Sequence, residues 1–278
     1  MFTAPSYAKI NLFLHVLGKR PDGYHDIYTL FCGISLHDTL TIAPSGKLML
    51  ESTGISMPLD TNNIICRVDS ILRDEYGLKD FYKVHVHKRI PVGAGLAGGS
   101  SNACVYLQLV NKASKMGLPL EEMAKILSRV GSDTPFFLYL PAALGEGRGE
   151  LLTPVENGAK LPLILINPGI FVSTPSVYND EKLQLTNTAD LPKIFTFYDV
   201  DQAAALMSNG MQEAVFARHP LLQGLCGDLE ANGAVKAMMS GSGSTVFGVF
   251  RDEAVQTAAY DVLQSKYRNY TVVKAVTL

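Results

Sequence analysis

Cysteine is scarce in this sequence, and its placement excludes two kinds of site. The four cysteines, Cys32, Cys66, Cys104 and Cys226, lie far apart, with no C-x-x-C pair and no histidine at metal-ligand spacing. This pattern favours neither a disulfide framework nor a zinc site. We expect reduced thiols with structural roles, and core positions for Cys66 and Cys104.

An excess of either charge is also missing. Lys and Arg total 24 against 26 Asp and Glu, so the formal net charge at pH 7 is −2. Proteins that hold a nucleic-acid backbone carry a concentrated positive field. The balanced composition therefore argues against a nucleic-acid partner.

Long hydrophobic runs are the third absence. Apolar runs such as 161–166 are far shorter than the roughly 20 residues that span a bilayer. Lys9 and Asn11 interrupt the apolar start of the chain, which also lacks a basic leader, so we do not expect a signal peptide there. The expectation is a soluble cytoplasmic protein with no membrane partner.

The length and patterning predict two domains of mixed structure. A chain of 278 residues with 47% apolar side chains holds about two domains of ordinary size. The first ninety residues read mostly as strands, and helical spacing is frequent later. We predict an α+β chain with a boundary near residues 150–160.

Five segments carry the element predictions that matter below. Helical spacing predicts helices over 63–76, 100–116 and 201–208, whereas alternation predicts a strand over 82–90. Residues 27–42 read as two strands.

A glycine-rich segment, residues 91–103, carries the clearest functional signal. It follows a predicted strand and opens a predicted helix, with the sequence PVGAGLAGGSSNA. Small residues let a backbone approach a ligand closely, and the free N–H groups of a helix start favour an anion. Ser100 and Ser101 add hydroxyl donors. The segment is typical of a phosphate cradle.

This segment has three other interpretations: a dinucleotide-binding loop, a Walker A loop and a plain turn. Gly93, Gly95 and Gly98 match the G-x-G-x-x-G spacing of dinucleotide-binding folds, but the acidic residue expected about 20 positions later at a strand end is missing. A Walker A loop requires Gly-Lys-Ser or Gly-Lys-Thr, which occurs nowhere in the chain. A plain glycine-rich turn stays open on this segment alone.

Several segments, in the right order along nearly the whole chain, are similar to the motifs of the GHMP kinases. These segments are AKINL at 8–12, RPDGYH at 20–25, the glycine-rich segment, GSDTPF at 131–136, PG at 168–169 with STP at 173–175, and MSGSG at 239–243. One departure is Ala97, where the nearest branch of the family usually has glycine.

The resemblance implies a fold and a nucleotide. The fold is a two-domain α+β GHMP kinase fold, with a ribosomal protein S5 domain 2-like N-terminal domain (1–155) and a ferredoxin-like C-terminal domain (156–278). ATP is the implied phosphoryl donor, with Mg²⁺, for which Ser100 or Ser101 is the candidate protein ligand. The implied ATP-binding residues are Pro91, Val92, Gly93, Ala94, Gly95, Leu96, Ala97, Gly98, Gly99, Ser100 and Ser101, with Asn63 and Lys88 near the adenine. From the residues alone, Lys88 also reads as a solvated strand end.

Two charged residues are candidates for the chemistry. Lys9 lies in an apolar strand-like segment, where a snorkelling lysine is the ordinary alternative. Asp133 lies in Gly-Ser-Asp-Thr-Pro, where a turn or N-cap residue is the alternative. By resemblance Asp133 matches the family's catalytic aspartate and Lys9 its basic partner, since an ammonium group nearby keeps a carboxylate ionised.

The resemblance also implies a substrate. The matching branch of the family phosphorylates the 2-hydroxyl of a cytidine-diphosphate-linked methylerythritol. Tyr24, His25 and Tyr178 match residues around the cytosine, while Asn11 and Thr174 match residues near the rest of the substrate. Ordinary packing is the alternative for any one of these aromatic residues. Another GHMP kinase, of homoserine or mevalonate type, and a non-catalytic nucleotide-binding protein remain as alternatives.

Overall fold

Strands and helices are both frequent along the chain, which has an α+β architecture. The computed structural model describes residues 1–156, 159–193 and 196–278. The strands are β1 Phe2–Lys19, β2 His25–Ser45, β3 Met49–Gly54, β4 Phe81–Lys88, β5 Ala142–Glu146, β6 Leu151–Pro154, β7 Pro162–Asn167, β8 Ser208–Asn209, β9 Lys236–Met239, β10 Val246–Val249 and β11 Thr271–Val276.

The helices are mostly short. They are α1 Ile64–Tyr76, α2 Gly98–Ala113, α3 Leu120–Ser128, α4 Thr174–Tyr178, α5 Val200–Leu206, α6 Gln212–Arg218, α7 Pro220–Ala231 and α8 Glu253–Lys266, with 3₁₀ helices at Thr134–Leu138 and Thr188–Asp190. Within the described ranges, no helix combines the length and apolarity that crossing a membrane requires.

The chain folds into two compact units. The first unit comprises Met1–Ala8, His37–Val92 and Ala97–Tyr139, and the second comprises Lys9–Leu36, Gly93–Leu96 and Leu140–Leu278. Strands β1 and β2 therefore contribute residues to both units. This interleaved division differs from the continuous domains 1–155 and 156–278, which stay a proposal about the family's domain organisation.

The first unit contains the helices α1, α2 and α3 together with strands β3 and β4. Strand β4 pairs with β3 in parallel and with the last residues of β2 in antiparallel register, placing Thr39 opposite His87. Alternate residues of β4 are buried, beginning with Tyr82. Lys88 continues that alternation and is buried in the same way, so its interpretation as a solvated strand end is wrong. Helix α2 contacts α1 and α3.

The second unit contains a four-stranded antiparallel sheet in the order β11-β7-β10-β9. Helix α7 contacts β9 and β10, and α8 contacts β11 and β7. Leu222, Leu225 and Leu229 of α7 pack in one cluster with Val246 and Ile166 of the sheet. Burial of this apolar face is the main stabilising term.

Residues 27–42 form one continuous strand, β2, and the prediction of two strands is wrong. Gly33, in the middle of this strand, lies in extended backbone, where an added Cβ would come within 2.6 Å of Leu140 Cδ2 and 2.9 Å of Leu278 Cδ1. Glycine is required here for close packing, and it makes no turn.

Three smaller expectations also change. The helix predicted over 201–208 ends at Leu206, because residues 208–209 form β8 and pair in parallel with β1. Helix α2 begins two residues before the predicted start and ends three residues before the predicted end. Cys32, Cys104 and Cys226 are free and buried, but Cys66 is only half-buried, so its core assignment is wrong.

Candidate active site

The glycine-rich segment has a regular alternation of backbone conformation. The φ angle is +65° at Gly93, +77° at Gly95 and +53° at Ala97. Left-handed residues that alternate with other conformations are a backbone pattern found in anion-binding loops. The backbone therefore supports the phosphate cradle expected from the sequence.

Ala97 bears a strain that glycine at this position would avoid. A non-glycine residue in the left-handed region costs about 1–2 kcal/mol, because its Cβ approaches the following carbonyl oxygen. This geometry gives a physical reason for the family's usual glycine here. It also shows that the alanine is accommodated without breaking the helix start that follows.

Helix α2 begins without a neutralising side chain. Its N-cap residue is Ala97, which makes no side-chain cap hydrogen bond, and its first turn contains no acidic residue. The first N–H groups of a helix lack intrahelical acceptors, and the helix dipole adds positive charge at that end. A phosphate group satisfies both.

The two serines of this turn have different roles. Ser101 is buried and its hydroxyl accepts a hydrogen bond from Ser6 Oγ at 2.7 Å. The Ser100 hydroxyl instead donates to Asp133 Oδ1 at 3.1 Å. Ser100 is therefore the serine that is joined to a candidate catalytic group.

Asp133 stands immediately before the 3₁₀ helix Thr134–Leu138. It occupies the N-cap position, but its side chain makes no cap hydrogen bond in that described segment. The turn and N-cap position that the alternative expected is confirmed, but the carboxylate itself does not serve as the cap. Gly131 packs closely against Thr134, since a Cβ added to Gly131 would be 2.5 Å from Thr134 Oγ1. Tight packing of this turn fixes where the carboxylate stands.

The two residues expected near the adenine have clear structural partners. Asn63 caps α1 by accepting from Ile65 N–H at 2.9 Å, and it donates to Pro58 O at 2.7 Å. Lys88 is only 3% exposed, and its ammonium group pairs with the carboxylate of Asp38. Contact of either with adenine stays a prediction.

In the second unit, Lys9 is buried among oxygen atoms. It is 4% exposed, and its Nζ donates to Asn11 Oδ1 at 2.7 Å and to Gly95 O at 3.0 Å. Asn11 is itself fixed, since its Nδ2 donates to Thr29 Oγ1 at 2.8 Å. The ammonium group does not reach out to solvent, so the snorkelling alternative is wrong.

Gly95 is held on two sides within the same unit. Besides Lys9, Ser240 Oγ donates to Gly95 O at 3.1 Å. The backbone of the Ser240–Gly243 turn packs so closely that a Cβ on Gly95 would lie 2.2 Å from Ser240 O. Ser240–Gly243 joins the antiparallel strands β9 and β10 and is therefore the turn of a hairpin.

The aromatic cluster consists of two predicted substrate residues that stack on each other, His25 and Tyr178, and of Tyr24, which precedes His25 in the chain. The rings of His25 and Tyr178 stack with centroids 4.9 Å apart and planes 15° apart. Burial, and secondly the charge of Lys19, lower the pKa of His25 below its usual 6.5, so the ring is neutral at pH 7. Tyr24 is 54% exposed, and the Arg148 guanidinium lies 4.8 Å from its ring centre.

Thr174 lies at the first turn of the short helix α4. Its hydroxyl is 2.7 Å from Ser242 Oγ, and so it is hydrogen-bonded to the Ser240–Gly243 turn. The sequence did not point to two residues that lie beside predicted site residues: Arg148 of the second unit, next to Tyr24, and Asp38 of the first unit, next to Lys88. Arg148, between Gly147 and Gly149, gave a weak signal, whereas Asp38 gave none.

Two family models match the chain. "GHMP kinases N terminal domain" matches residues 63–140, and "GHMP kinases C terminal" matches residues 197–269. A similar relative is the 4-diphosphocytidyl-2-C-methyl-D-erythritol kinase of Lachnoclostridium phytofermentans, 34% identical over 96% of this chain and 94% of the relative. The kinase of the same name from Syntrophotalea carbinolica is 38% identical over 95% and 94%. This chain belongs to the GHMP kinase family.

Solved structures agree with that assignment. A 4-(cytidine 5'-diphospho)-2C-methyl-D-erythritol kinase superposes with a TM-score of 0.82 and 29% identity over 99% of both chains. A mevalonate kinase gives a TM-score of 0.69 at 14% identity over 100% of this chain and 99% of its own, a similarity of fold alone. The two-domain α+β GHMP kinase fold is confirmed, and a dinucleotide-binding fold is wrong for this member of the family.

Side-chain oxygen atoms decide whether this site could hold a magnesium ion. Among the described residues, no three or more His, Cys, Asp or Glu side chains are grouped so that they could hold a metal ion. The Ser100 hydroxyl and the Asp133 carboxylate do stand together, and hard oxygen donors of this kind suit Mg²⁺. The residues present fit a magnesium ion that takes most of its ligands from ATP phosphates and water.

Gly95→Ala tests how tightly this GHMP kinase holds its glycine-rich segment. The added methyl would meet Ser240 O on a backbone whose φ is +77°, so we expect unfolding free energy to fall by about 2 kcal/mol or more. Gly18→Ala is the matched control, because an added Cβ there meets nothing within 4 Å. Urea denaturation measures both; equal losses would contradict the close packing.

Proposed function

We propose that this protein is an ATP-dependent kinase that phosphorylates the 2-hydroxyl of 4-diphosphocytidyl-2-C-methyl-D-erythritol. The substrate assignment is based on two relatives that bear the name of this kinase and align with 95–96% of the chain. The reaction would belong to the non-mevalonate route to isoprenoid precursors. The cytoplasmic location expected from the sequence is part of this proposal, since ATP is the donor.

The phosphates of ATP bind to the glycine-rich segment and the start of α2. Support comes from the alternating left-handed residues and from the helix start, whose N-cap residue makes no side-chain hydrogen bond. Phosphoryl transfer depends mainly on positioning and charge stabilisation. A rigid set of N–H donors supplies both.

Asp133 accepts the proton of the 2-hydroxyl as its oxygen attacks the γ-phosphorus. A carboxylate held by one hydroxyl donor, Ser100, keeps a second oxygen available as a general base. The leaving group is ADP, and the phosphoryl group ends on the former hydroxyl oxygen. Lys9, buried and oriented by Asn11 and Gly95, offsets the negative charge of the transferring group.

Mg²⁺ is expected with ATP. When bound, the ion would offset the negative charge of the ATP phosphates. The Ser100 hydroxyl, which faces Asp133 Oδ1, would hold it, and the second oxygen of Asp133 stays available as the base. Ser101 is a poorer candidate because its hydroxyl faces Ser6 in a buried position.

The cytosine is recognised by the aromatic cluster of the second unit. A neutral His25 presents one donor and one acceptor, which suits the polar edge of a pyrimidine. Tyr24 offers an exposed ring face on which a base can stack. Tyr178 fixes the His25 ring by stacking on it. Asn11 and Thr174 are assigned to the rest of the substrate.

The first experiment is a coupled ADP-release assay with Mg·ATP. The cytidine-diphosphate-linked methylerythritol is compared with homoserine, mevalonate and galactose as acceptors. We expect turnover with the first acceptor alone. Turnover with another alcohol would keep the kinase and remove the cytosine assignment. ATP binding without any turnover would favour a non-catalytic nucleotide-binding protein.

Asp133→Asn tests the proton acceptor. The amide keeps the size of the side chain but cannot accept the proton, so kcat should fall by about 10²- to 10⁴-fold. Asp261→Asn, an exposed aspartate of α8, is the matched control and should keep normal turnover. Near-normal kcat in a folded Asp133→Asn protein would show that another group is the base.

His25→Ala tests the substrate pocket. Removing the ring eliminates its hydrogen bonds to the base and its stack on Tyr178, so the KM for the cytidylyl substrate should rise about tenfold or more. The KM for ATP should change little. His87→Ala, an exposed histidine of β4, should affect neither. An equal rise of the KM for the cytidylyl substrate and the KM for ATP in His25→Ala would contradict the assignment of His25 to the cytosine.

A further inference from the structure

A buried carboxylate outside the proposed chemistry lies in the first unit. Asp38, in the last part of β2, has 0% exposure. Its Oδ1 accepts from the N–H groups of Arg89 at 2.7 Å and Ile90 at 2.9 Å. Its Oδ2 accepts from Asn102 Nδ2 at 2.9 Å and from the Lys88 ammonium group. Four donors converge on one side chain.

These donors come from the two flanks of the glycine-rich segment. Lys88, Arg89 and Ile90 are the three residues that precede Pro91, and Asn102 is the fifth residue of α2. Asp38 therefore links the entry strand to the helix start. Sequence spacing shows no such link, because Asp38 lies 50 residues before Lys88 and 64 before Asn102.

A second layer continues from Asn102. The same Nδ2 donates to Ser6 Oγ at 2.8 Å, and Ser6 Oγ donates to Ser101 Oγ at 2.7 Å. Gly98, the first residue of α2, packs so closely that a Cβ there would be 2.8 Å from both Lys88 Nζ and Ile90 Cγ2. The network thus reaches residues 98, 101 and 102 of the helix start.

Stability alone is a weak reason for such an arrangement. Burial lowers the pKa of Lys88, and the neighbouring Asp38 charge opposes that shift. A buried ion pair often contributes no more stability than apolar side chains of the same volume. What four directed hydrogen bonds do supply is one defined geometry for the groups that they join.

We propose that Asp38 is a positioning residue for ATP. By joining the backbone of residues 89–90 to Asn102, it fixes the N–H groups at the start of α2 before the nucleotide arrives, so that little conformational entropy is lost on binding. Asp38 itself touches no nucleotide, and Lys88 acts as its buried partner. This inference rests on the proposed ATP-dependent function.

The test is an ADP titration of the full-length protein by calorimetry, which requires no acceptor substrate. Asp38→Asn keeps the acceptor for residues 89–90 but removes the charge facing Lys88 and Asn102. We expect its Kd for ADP to rise about tenfold or more. In the kinase assay, the KM for ATP should rise with it, while the KM for the cytidylyl substrate stays within about twofold.

Asp69→Asn is the matched control. Asp69 is another buried carboxylate of the first unit, and it accepts from Arg73 Nε at 2.7 Å and Tyr106 OH at 2.5 Å, with no contact to the glycine-rich segment among its described bonds. The Asp69→Asn substitution should lower the melting temperature and leave the Kd for ADP unchanged. An equal loss of ADP affinity in both variants would overturn the proposal, because the effect would then be general destabilisation.

Asn102→Ala removes the same link from the helix side and keeps the inference testable if Asp38→Asn fails to fold. Its Kd for ADP should also rise, and the double variant should lose less than the sum of the single losses. Unchanged ADP affinity in folded Asp38→Asn or Asn102→Ala would overturn the inference alone. Failure of the wild-type protein to bind ADP would overturn the proposed function as well.

Discussion

A helix start that is kept free for a ligand must be held in place by something other than the ligand. Helix α2 begins at an alanine with a strained left-handed backbone and has no acidic side chain in its first turn. Such N–H groups bind an anion well only when they are already aimed. In our proposal, the first unit meets this requirement with the carboxylate of Asp38, which accepts hydrogen bonds from residues 89–90 and from Asn102. Residue 98 is glycine because a Cβ there would meet Lys88 and Ile90.

The second unit meets a similar requirement with different chemistry. Gly95 O receives the Lys9 ammonium group and the Ser240 hydroxyl, and the Ser240–Gly243 turn fills the space where a side chain would be. One buried lysine therefore serves both the backbone and, in our proposal, the transferring phosphoryl group. A charge that is already held by oxygen atoms needs little rearrangement when the substrate charge develops.

Much of the fold was predictable because it depends on local periodicity and turn chemistry. Helix α1 with its Asn63 cap, the alternating strand β4 and the hairpin turn at 240–243 all follow from residues close in sequence. The errors lie where distant packing decides the outcome. Gly33 remains in a strand because Leu140 and Leu278 press against it, and helix α5 stops at Leu206 because β8 pairs with β1.

Short patterns of residue types were enough to identify the glycine-rich segment, the family motifs and the candidate residues Lys9 and Asp133. The burial of polar groups and the choice of their partners, in contrast, emerge only from the folded chain. It showed that Ser100 joins Asp133 while Ser101 faces Ser6, that Lys88 pairs with Asp38, and that Tyr178 stacks on His25. Such pairings depend on desolvation and direction between residues far apart in the chain, which no spacing encodes.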